Sequence, residues 1–140
     1  MPEYFLAKTD PETFSISDFD KEKITTWDGV HNYQAINVIK TWKIGDVVLI
    51  YHSIQDKAIV GVAKVVSEPI QNLNDKRYSW ISDLEILNIF EKEKWITLKE
   101  IKENVDLFPD LLLIRHSRLS VMNLPKNFVN WLKTIKKLNL

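Results

Sequence analysis

Two apolar segments in the middle of the chain limit its fold more than any other feature. Residues 47–51 (VVLIY) and 59–66 (IVGVAKVV) are rich in β-branched side chains, and polar residues around Asp56 and Lys57 separate them. β-Branched side chains favour strands, and a short polar connection favours antiparallel pairing. The pattern therefore predicts a β-hairpin. Residues 80–90 have a similar composition and are expected to add a third long strand.

Shorter patterns surround the predicted hairpin. Residues 4–7 and 111–114 are apolar runs that we expect to form strands, and residues 69–76 are expected to form a loop. About six strands with helices in the connections indicate an α+β fold whose sheet curls into a small barrel. We expect one domain over residues 1–140, because the chain is long enough for one core and short for two.

Capping residues and helical spacing predict four helices. The first is a short helix that is capped by Ser15 or Ser17 and ends near Lys23, with Phe14, Ile16 and Phe19 facing inward. The second runs from Asn32 to near Gly45, and the third is a short helix that begins at the capping box of Thr97 and Glu100. The fourth is a terminal amphipathic helix after Pro125, with Phe128, Leu132 and Ile135 on its apolar face.

Composition narrows the class of protein. No cysteine is present, which excludes disulfides, thiolate zinc sites and a thiol nucleophile, and favours an intracellular location. The N-terminus lacks the pattern of a signal peptide, and the longest apolar stretch, residues 47–51, is far shorter than a membrane span. No apolar stripe remains once the core is assigned, so we expect a monomer.

Charge is balanced overall but unevenly distributed. The 19 basic and 19 acidic residues cancel, which excludes proteins that coat nucleic acid through net positive charge alone. After Asp110 the chain has no acidic residue and six basic ones, namely Arg115, Arg118, Lys126, Lys133, Lys136 and Lys137. This segment is either a solvated helix face or a surface that binds anions.

Most catalytic patterns are missing. The histidines His31, His52 and His116 lack the spacing of metal ligands, so we expect no metal. Ser53 follows His52 directly, and neighbouring strand residues point to opposite faces, so they cannot share a proton. With three glycines, the chain has no phosphate-binding loop of the Walker or dinucleotide type, and no cofactor is expected.

The segment 27–35 (WDGVHNYQA) is the most unusual one. It sets an indole, a carboxylate and an amide in a turn that leads into a helix. Trp27 lies between Thr26 and Asp28, outside any periodic segment, which predicts a partly exposed ring at a pocket mouth. The alternatives are structural: Trp27 plugs the end of the barrel, Asp28 forms a turn with Gly29, and Asn32 only caps a helix.

Five short blocks follow one another in a known order. They are residues 4–9 (YFLAKT), 27–30 (WDGV) with 32–35 (NYQA), 45–48 (GDVV) with 51–53 (YHS), 59–63 (IVGVA) and 117–121 (SRLSV). In this order they resemble the EVE domain, a branch of the PUA-like superfamily related to the YTH readers of methylated adenine. The resemblance implies a PUA-like barrel that holds an extruded, modified nucleobase and does not catalyse a reaction.

The resemblance also implies a site. Trp27 would form one wall of an aromatic cage, Asn32 and Ser53 would hydrogen-bond the base edge, and Tyr33, Tyr51 and Trp80 are candidates for a second stacking surface. The implied base-binding residues are Lys8, Thr9, Trp27, Asp28, Val30, Asn32, Tyr33, Ser53 and Trp80. The implied phosphate-binding residues are Arg115, Arg118 and Ser120.

Two positions depart from the family pattern, and two other functions stay open. Family members commonly have arginine where this chain has His31 and Ile36, which weakens the expected hold on phosphate there. An amidohydrolase acting on modified nucleosides, as in the related ASCH domains, would need Lys8, Thr9 and Asp28 in one pocket. A module that binds RNA or protein would instead use the basic C-terminal helix.

Overall fold

Strands and helices alternate along residues 2–140, the part of the chain that the computed structural model describes. In order they are β1 (Tyr4–Thr9), α1 (Ile16–Glu22), β2 (Ile24–Trp27), α2 (Tyr33–Ile39), β3 (Val47–His52), β4 (Ala58–Val65), β5 (Ile70–Gln71), β6 (Trp80–Ile89), β7 (Ile96–Thr97), α3 (Leu98–Glu103), α4 (Leu112–Arg115), β8 (Val121–Asn123) and α5 (Lys126–Thr134). Single 3-10 turns occupy Lys92–Lys94 and Val105–Leu107. The predicted α+β class is confirmed.

One curled sheet forms the centre of the molecule. Its strands run in the order β2-β6-β4-β3-β1-β8, with β5 paired to β6 and β7 paired to β4. β1 pairs with β3 in parallel, and the other pairs are antiparallel. Every side chain of β3 is buried, as expected for a central strand covered on both faces. The predicted hairpin is confirmed as β3 and β4.

Two irregularities of pairing bend the sheet. The register shifts between Ile50 and Tyr51 in β3, and between Val62 and Ala63 in β4. Such bulges bend a strand and increase its twist, which curls the sheet toward a barrel. Helix α1 packs where β4 carries Gly61. A Cβ atom at this glycine would lie 2.6 Å from Ile16 Cδ1, so the close approach of helix and sheet requires glycine.

The predicted caps are present. Ser15 Oγ accepts a hydrogen bond from Asp18 N at 3.1 Å, and Asp18 Oδ2 accepts one from Ser15 N at 2.9 Å, which completes a capping box. Thr97 Oγ1 accepts from Glu100 N at 3.1 Å and begins α3. Each cap satisfies a backbone N–H that the first helical turn leaves without a carbonyl partner.

Three expectations about the elements are wrong. Residues 111–114 form no strand: the N–H of Arg115 bonds to the carbonyl of Leu111, and residues 112–115 are the short helix α4. An apolar run of four residues has no period that separates a strand from a buried helical turn. The loop predicted at residues 69–76 contains β5, and the short strands β2, β7 and β8 raise the number from about six to eight.

Helix ends also differ from the prediction. α2 ends at Ile39 and not near Gly45, because the N–H groups of Thr41 and Trp42 bond three residues back and tighten the chain into a turn. In α5 the buried residues are Phe128, Val129 and Leu132. Ile135 was expected on that face, but it lies beyond the last helical residue and is 66% exposed. No helix within residues 2–140 has the length and apolarity to cross a bilayer.

Candidate functional site

A cavity of about 570 Å³ opens between the end of β1, the loop before α1 and the turn after β2. We call it the Trp27 cavity. Its walls include six residues that the sequence predicted for one site, namely Lys8, Thr9, Trp27, Asp28, Val30 and Ser120. The cavity is larger than the minimum of about 300 Å³ typical of small-ligand sites. The blocks at residues 4–9, 27–30 and 117–121 therefore meet in space.

Trp27 forms the inner wall of this cavity. It is the last residue of β2, opposite Ser82 of β6, and its side chain packs against Phe14 and Phe19, each with a ring centroid 6.4 Å away. The prediction that Trp27 lies outside a periodic segment with a partly exposed ring is wrong, because the residue belongs to β2 and is only 6% exposed. A small part of the indole reaches the cavity, together with the half-buried Phe14 ring. The sequence analysis had assigned Phe14 to the core alone.

The turn after Trp27 closes the cavity on one side. Gly29 has φ of +74°, a left-handed conformation that favours glycine, and it turns the chain from β2 toward α2. Val30 then buries its side chain, and Asp28 stays exposed at the rim. Asn32 Oδ1 accepts a hydrogen bond from Ala35 N at 3.0 Å, so the capping role that the sequence left open is present.

Lys8 and Thr9 are held by backbone carbonyls. Lys8 Nζ donates to the carbonyl of Ser117 at 2.7 Å, and Lys8 N donates to the carbonyl of Ser120 at 2.8 Å. Thr9 Oγ1 donates to the carbonyl of Phe14 at 2.7 Å, which fixes the loop before α1. Burial lowers the pKa of the Lys8 ammonium from its ordinary value, because removal from water disfavours the charged form.

A second cavity, of about 460 Å³, shares Lys8 and Ser120 with the first. We call it the cationic recess. Four of its lining residues are cationic, namely Lys8, Lys57, Lys102 and Arg118, and no carboxylate lines it. Ser53 and Tyr51 also contribute, and burial raises the pKa of the Tyr51 phenol to about 12, so it stays neutral at pH 7. An anion entering this recess would meet positive charge and hydroxyl groups, beside the apolar side chains of Leu98 and Leu113.

Two residues of the cationic recess were not among the predicted site residues. Lys57 follows the β3–β4 connection and Lys102 lies in α3, so the pairing of β7 with β4 brings them together. No local pattern in the sequence marks either lysine. Ser53, which was predicted to share a cavity with Trp27, lies here instead, and its Oγ donates to the carbonyl of Thr9 at 3.2 Å.

Four other predicted residues lie outside both cavities. Asn32 lines a smaller hollow of about 260 Å³ that adjoins the recess at Arg118. Tyr33 is 70% exposed, and Trp80 lies beside it on the same surface, where Tyr78 contacts both. Arg115 is turned away, since its Nε donates to the carbonyl of Pro109. The expected convergence is therefore only partial.

A hydrogen bond ties the Trp27 cavity to the loop before β6. His31 Nε2 lies 2.8 Å from Asp75 Oδ2, and Ser79 Oγ donates to the same oxygen at 2.8 Å. The N–H of Arg77 donates to Asp75 Oδ1 at 2.9 Å. These hydrogen bonds, with that from Arg77 the strongest, lower the pKa of the Asp75 carboxyl to about 2.

The curled mixed sheet, with helices in its connections and a cleft at the end of β1, defines an α+β domain of the PUA-like class. The chain belongs to the EVE domain family, whose model matches residues 3–135. The resemblance in the five sequence blocks is thereby confirmed.

Known proteins support this assignment. Thymocyte nuclear protein 1 of Rattus norvegicus is 39% identical over 77 residues, which cover 46% of this chain and 34% of that protein. The matching region thus spans about a third of the curated relative. A solved Pseudomonas syringae protein is 28% identical with a TM-score of 0.83, covering 95% of this chain and 99% of that one.

A structure of the human THYN1 protein, in complex with DNA containing 5-methylcytosine, has a TM-score of 0.84. The alignment covers 99% of both chains at 22% identity. At this identity the likeness establishes the shared fold.

Proposed function

We propose that this protein binds nucleic acid and holds an extruded, modified cytosine or adenine in the Trp27 cavity, with phosphate in the cationic recess. The observation that carries the proposal is the adjacency of the two cavities. A nucleotide has a flat, partly apolar base and an anionic phosphate joined by a sugar. One cavity is bordered by the Phe14 ring and a small part of the Trp27 indole, and the neighbouring one contains four cations, so together they complement these two parts. The 5-methylcytosine DNA bound by the human relative supports this choice of ligand.

The energetics favour a reader that needs a particular base. Extruding a base costs a few kcal/mol, and an aromatic contact returns about 1–3 kcal/mol, so the two nearly cancel. With a net charge of zero, the protein adds little attraction to phosphate in general. Hydrogen bonds and space-filling around the modifying group then decide affinity. One additional buried methyl group contributes about 0.8 kcal/mol, which is about 4-fold in the binding constant.

Filling the Trp27 cavity tests the proposal. Thr13 is exposed and lines the cavity, so Thr13→Trp would occupy the space without removing a core contact. Thr134→Trp, on the exposed face of α5, adds the same side chain away from both cavities. Trp27→Ala is a poorer test, because removal of a tryptophan that is 6% exposed is expected to destabilise the fold by about 3–5 kcal/mol.

Binding would be measured by fluorescence anisotropy with labelled duplexes that are plain or carry 5-methylcytosine or N6-methyladenine. We expect wild type and Thr134→Trp to prefer one modified duplex by about 4-fold or more. Thr13→Trp should bind all duplexes alike while its circular dichroism spectrum stays native. Equal affinity of wild type for every duplex, or an unchanged preference in Thr13→Trp, would contradict the proposal.

An enzymatic function has one observation in its favour. Lys8, Thr9 and Asp28 line the same cavity, and the lowered pKa of Lys8 suits a general base. However, the Lys8 ammonium and the Thr9 hydroxyl donate to different backbone carbonyls, those of Ser117 and Phe14. Neither group is thereby aligned to activate the other. Incubation with modified nucleosides, followed by mass spectrometry, separates the functions: a reader leaves their masses unchanged.

The basic C-terminal helix is a weaker candidate for the interface. Lys136 pairs with Glu100, and the Lys133 ammonium lies 4.6 Å from the centroid of the Tyr4 ring. Lys136 lies two residues beyond α5, and its charge is balanced by an internal carboxylate, so less positive charge is offered to an anion at this end of the chain. The cationic recess has no such internal carboxylate in its lining.

A further inference from the structure

Three aromatic side chains lie together on the surface outside both cavities. Tyr33 begins α2, Tyr78 lies in the loop before β6, and Trp80 is the first residue of β6. We call them the aromatic platform. Tyr33 is 70% exposed and Tyr78 is 39% exposed, values unusual for rings that contact one another. A contiguous exposed aromatic surface is typical of a binding site.

Polar contacts hold the platform in shape. The rings of Tyr33 and Tyr78 have centroids 5.8 Å apart and planes inclined by 34°. Trp80 Nε1 donates a hydrogen bond to the Tyr78 hydroxyl at 3.0 Å, and the Lys40 ammonium lies 5.0 Å from the centroid of the Trp80 ring. The rings are therefore oriented before any ligand arrives, which reduces the entropy lost on binding.

The aromatic platform is joined to the Trp27 cavity. His31 lines that cavity, and its hydrogen bond with Asp75 holds the loop that carries Tyr78. Tyr33 lies two residues after His31, so their Cα atoms are at most about 7 Å apart. Successive nucleotides of a B-form strand rise about 3.4 Å, so this separation corresponds to one or two nucleotides.

The charges around the platform suit nucleic acid. Lys40, Lys76 and Arg77 are exposed on α2 and the adjoining loop. Asp75, the carboxylate next to Lys76 in this loop, already accepts hydrogen bonds from three groups, namely His31 and, within the loop, Arg77 N and Ser79 Oγ. Exposed rings that stack on bases, with cations that attract phosphates, are the two components of surfaces that bind unpaired nucleotides.

We propose that the aromatic platform stacks a base that flanks the extruded one. This inference rests on the proposed function, and it adds a second contact on the same strand. The cations beside the platform favour nucleic acid as its ligand over an apolar protein segment. Because every base has an aromatic face, the contact adds affinity with little dependence on sequence.

The test combines a protein variant with DNA duplexes that lack a single base. Tyr33→Ala removes a ring that is 70% exposed, so the fold should be unaffected, and Leu73→Ala, at a residue 84% exposed in the neighbouring loop, is the matched control. Each protein is titrated with a 5-methylcytosine duplex and with duplexes that carry an abasic site at each flanking position in turn. Loss of one stacked base corresponds to about 5- to 150-fold weaker binding.

We expect Tyr33→Ala to weaken binding to the intact duplex within that range and Leu73→Ala to leave it unchanged. At one flanking position, the abasic site should abolish the difference between wild type and Tyr33→Ala. The inference is overturned if Tyr33→Ala weakens binding equally at every abasic position, or does not weaken it at all. The proposed function is upheld in that case as long as wild type still prefers the methylated duplex.

A wild-type protein that shows no such preference would instead contradict the proposed function. In that case, wild type and Tyr33→Ala are compared for binding to a plain single-stranded oligonucleotide. The placement of the platform beside an extruded base then falls with the proposed function, and weaker binding by Tyr33→Ala supports only base stacking on the platform, whereas equal binding overturns that as well.

Discussion

Removing one cation from the recess should change how binding responds to salt. The recess contains four cations, and if each neutralises one phosphate, the recess contributes about −3.6 to the slope of log K against log salt. Arg118→Gln leaves three, and this contribution becomes about −2.7. Between 50 and 200 mM salt, the recess contacts of wild type should then weaken binding about 150-fold and those of the variant about 40-fold.

Titrations by fluorescence anisotropy at four or five salt concentrations measure this slope. Lys126→Gln removes an equal charge from the exposed surface of α5, outside both cavities, and should keep the wild-type slope. The preference for a modified base should be the same in all three proteins, since phosphate contacts carry no base information. Parallel slopes for wild type and Arg118→Gln would refute the assignment of phosphate to the recess.

Three predictions concern stability, each measured by urea unfolding. Gly61→Ala places a methyl group 2.6 Å from Ile16 Cδ1 and should lower the free energy of unfolding by about 1–3 kcal/mol. Ile16→Val deletes that Cδ1 atom, so the double variant should lose less stability than the sum of the two single variants. Strictly additive losses would argue against the contact. Ser15→Ala removes the cap of α1 and should cost about 1 kcal/mol, whereas an unchanged midpoint would mean that the cap is dispensable. The Asp75 pKa is depressed from 3.8 to about 2, so its contribution is complete above pH 4 and is lost as the pH falls toward 2. The stability difference between wild type and Asp75→Asn should shrink over that range, and a constant difference would be inconsistent with the hydrogen bonds that Arg77 N, His31 and Ser79 make to the Asp75 carboxylate.

Features encoded by neighbouring residues were predictable from sequence. The β3–β4 hairpin, the Ser15 cap and the strand β6 depend on side chains within a few positions of one another. The five family blocks also predicted that residues 4–9, 27–30 and 117–121 would meet, and they line one cavity. Local propensity and family pattern agree in these segments.

Features that depend on pairing between distant strands were not predictable in this way. β2 has the sequence ITTW, too short and polar for a periodic signal, so the burial of Trp27 follows only from its pairing with β6. The cationic recess likewise needs β7 to bring Lys57 and Lys102 together. Tyr78 lies in a loop that is held by the hydrogen bond between Asp75 and His31.

The position of β1 between β3 and β8 has a consequence for dynamics. Its residues Phe5, Leu6 and Ala7 pair with residues 121–123, and the N–H of Lys8 bonds to the carbonyl of Ser120 at the mouth of both cavities. Any local opening that detaches β8 therefore disrupts the walls of both cavities as well. A bound ligand must oppose that opening, so the amide hydrogens of residues 5–8 and 121–123 should exchange with solvent deuterium more slowly in its presence.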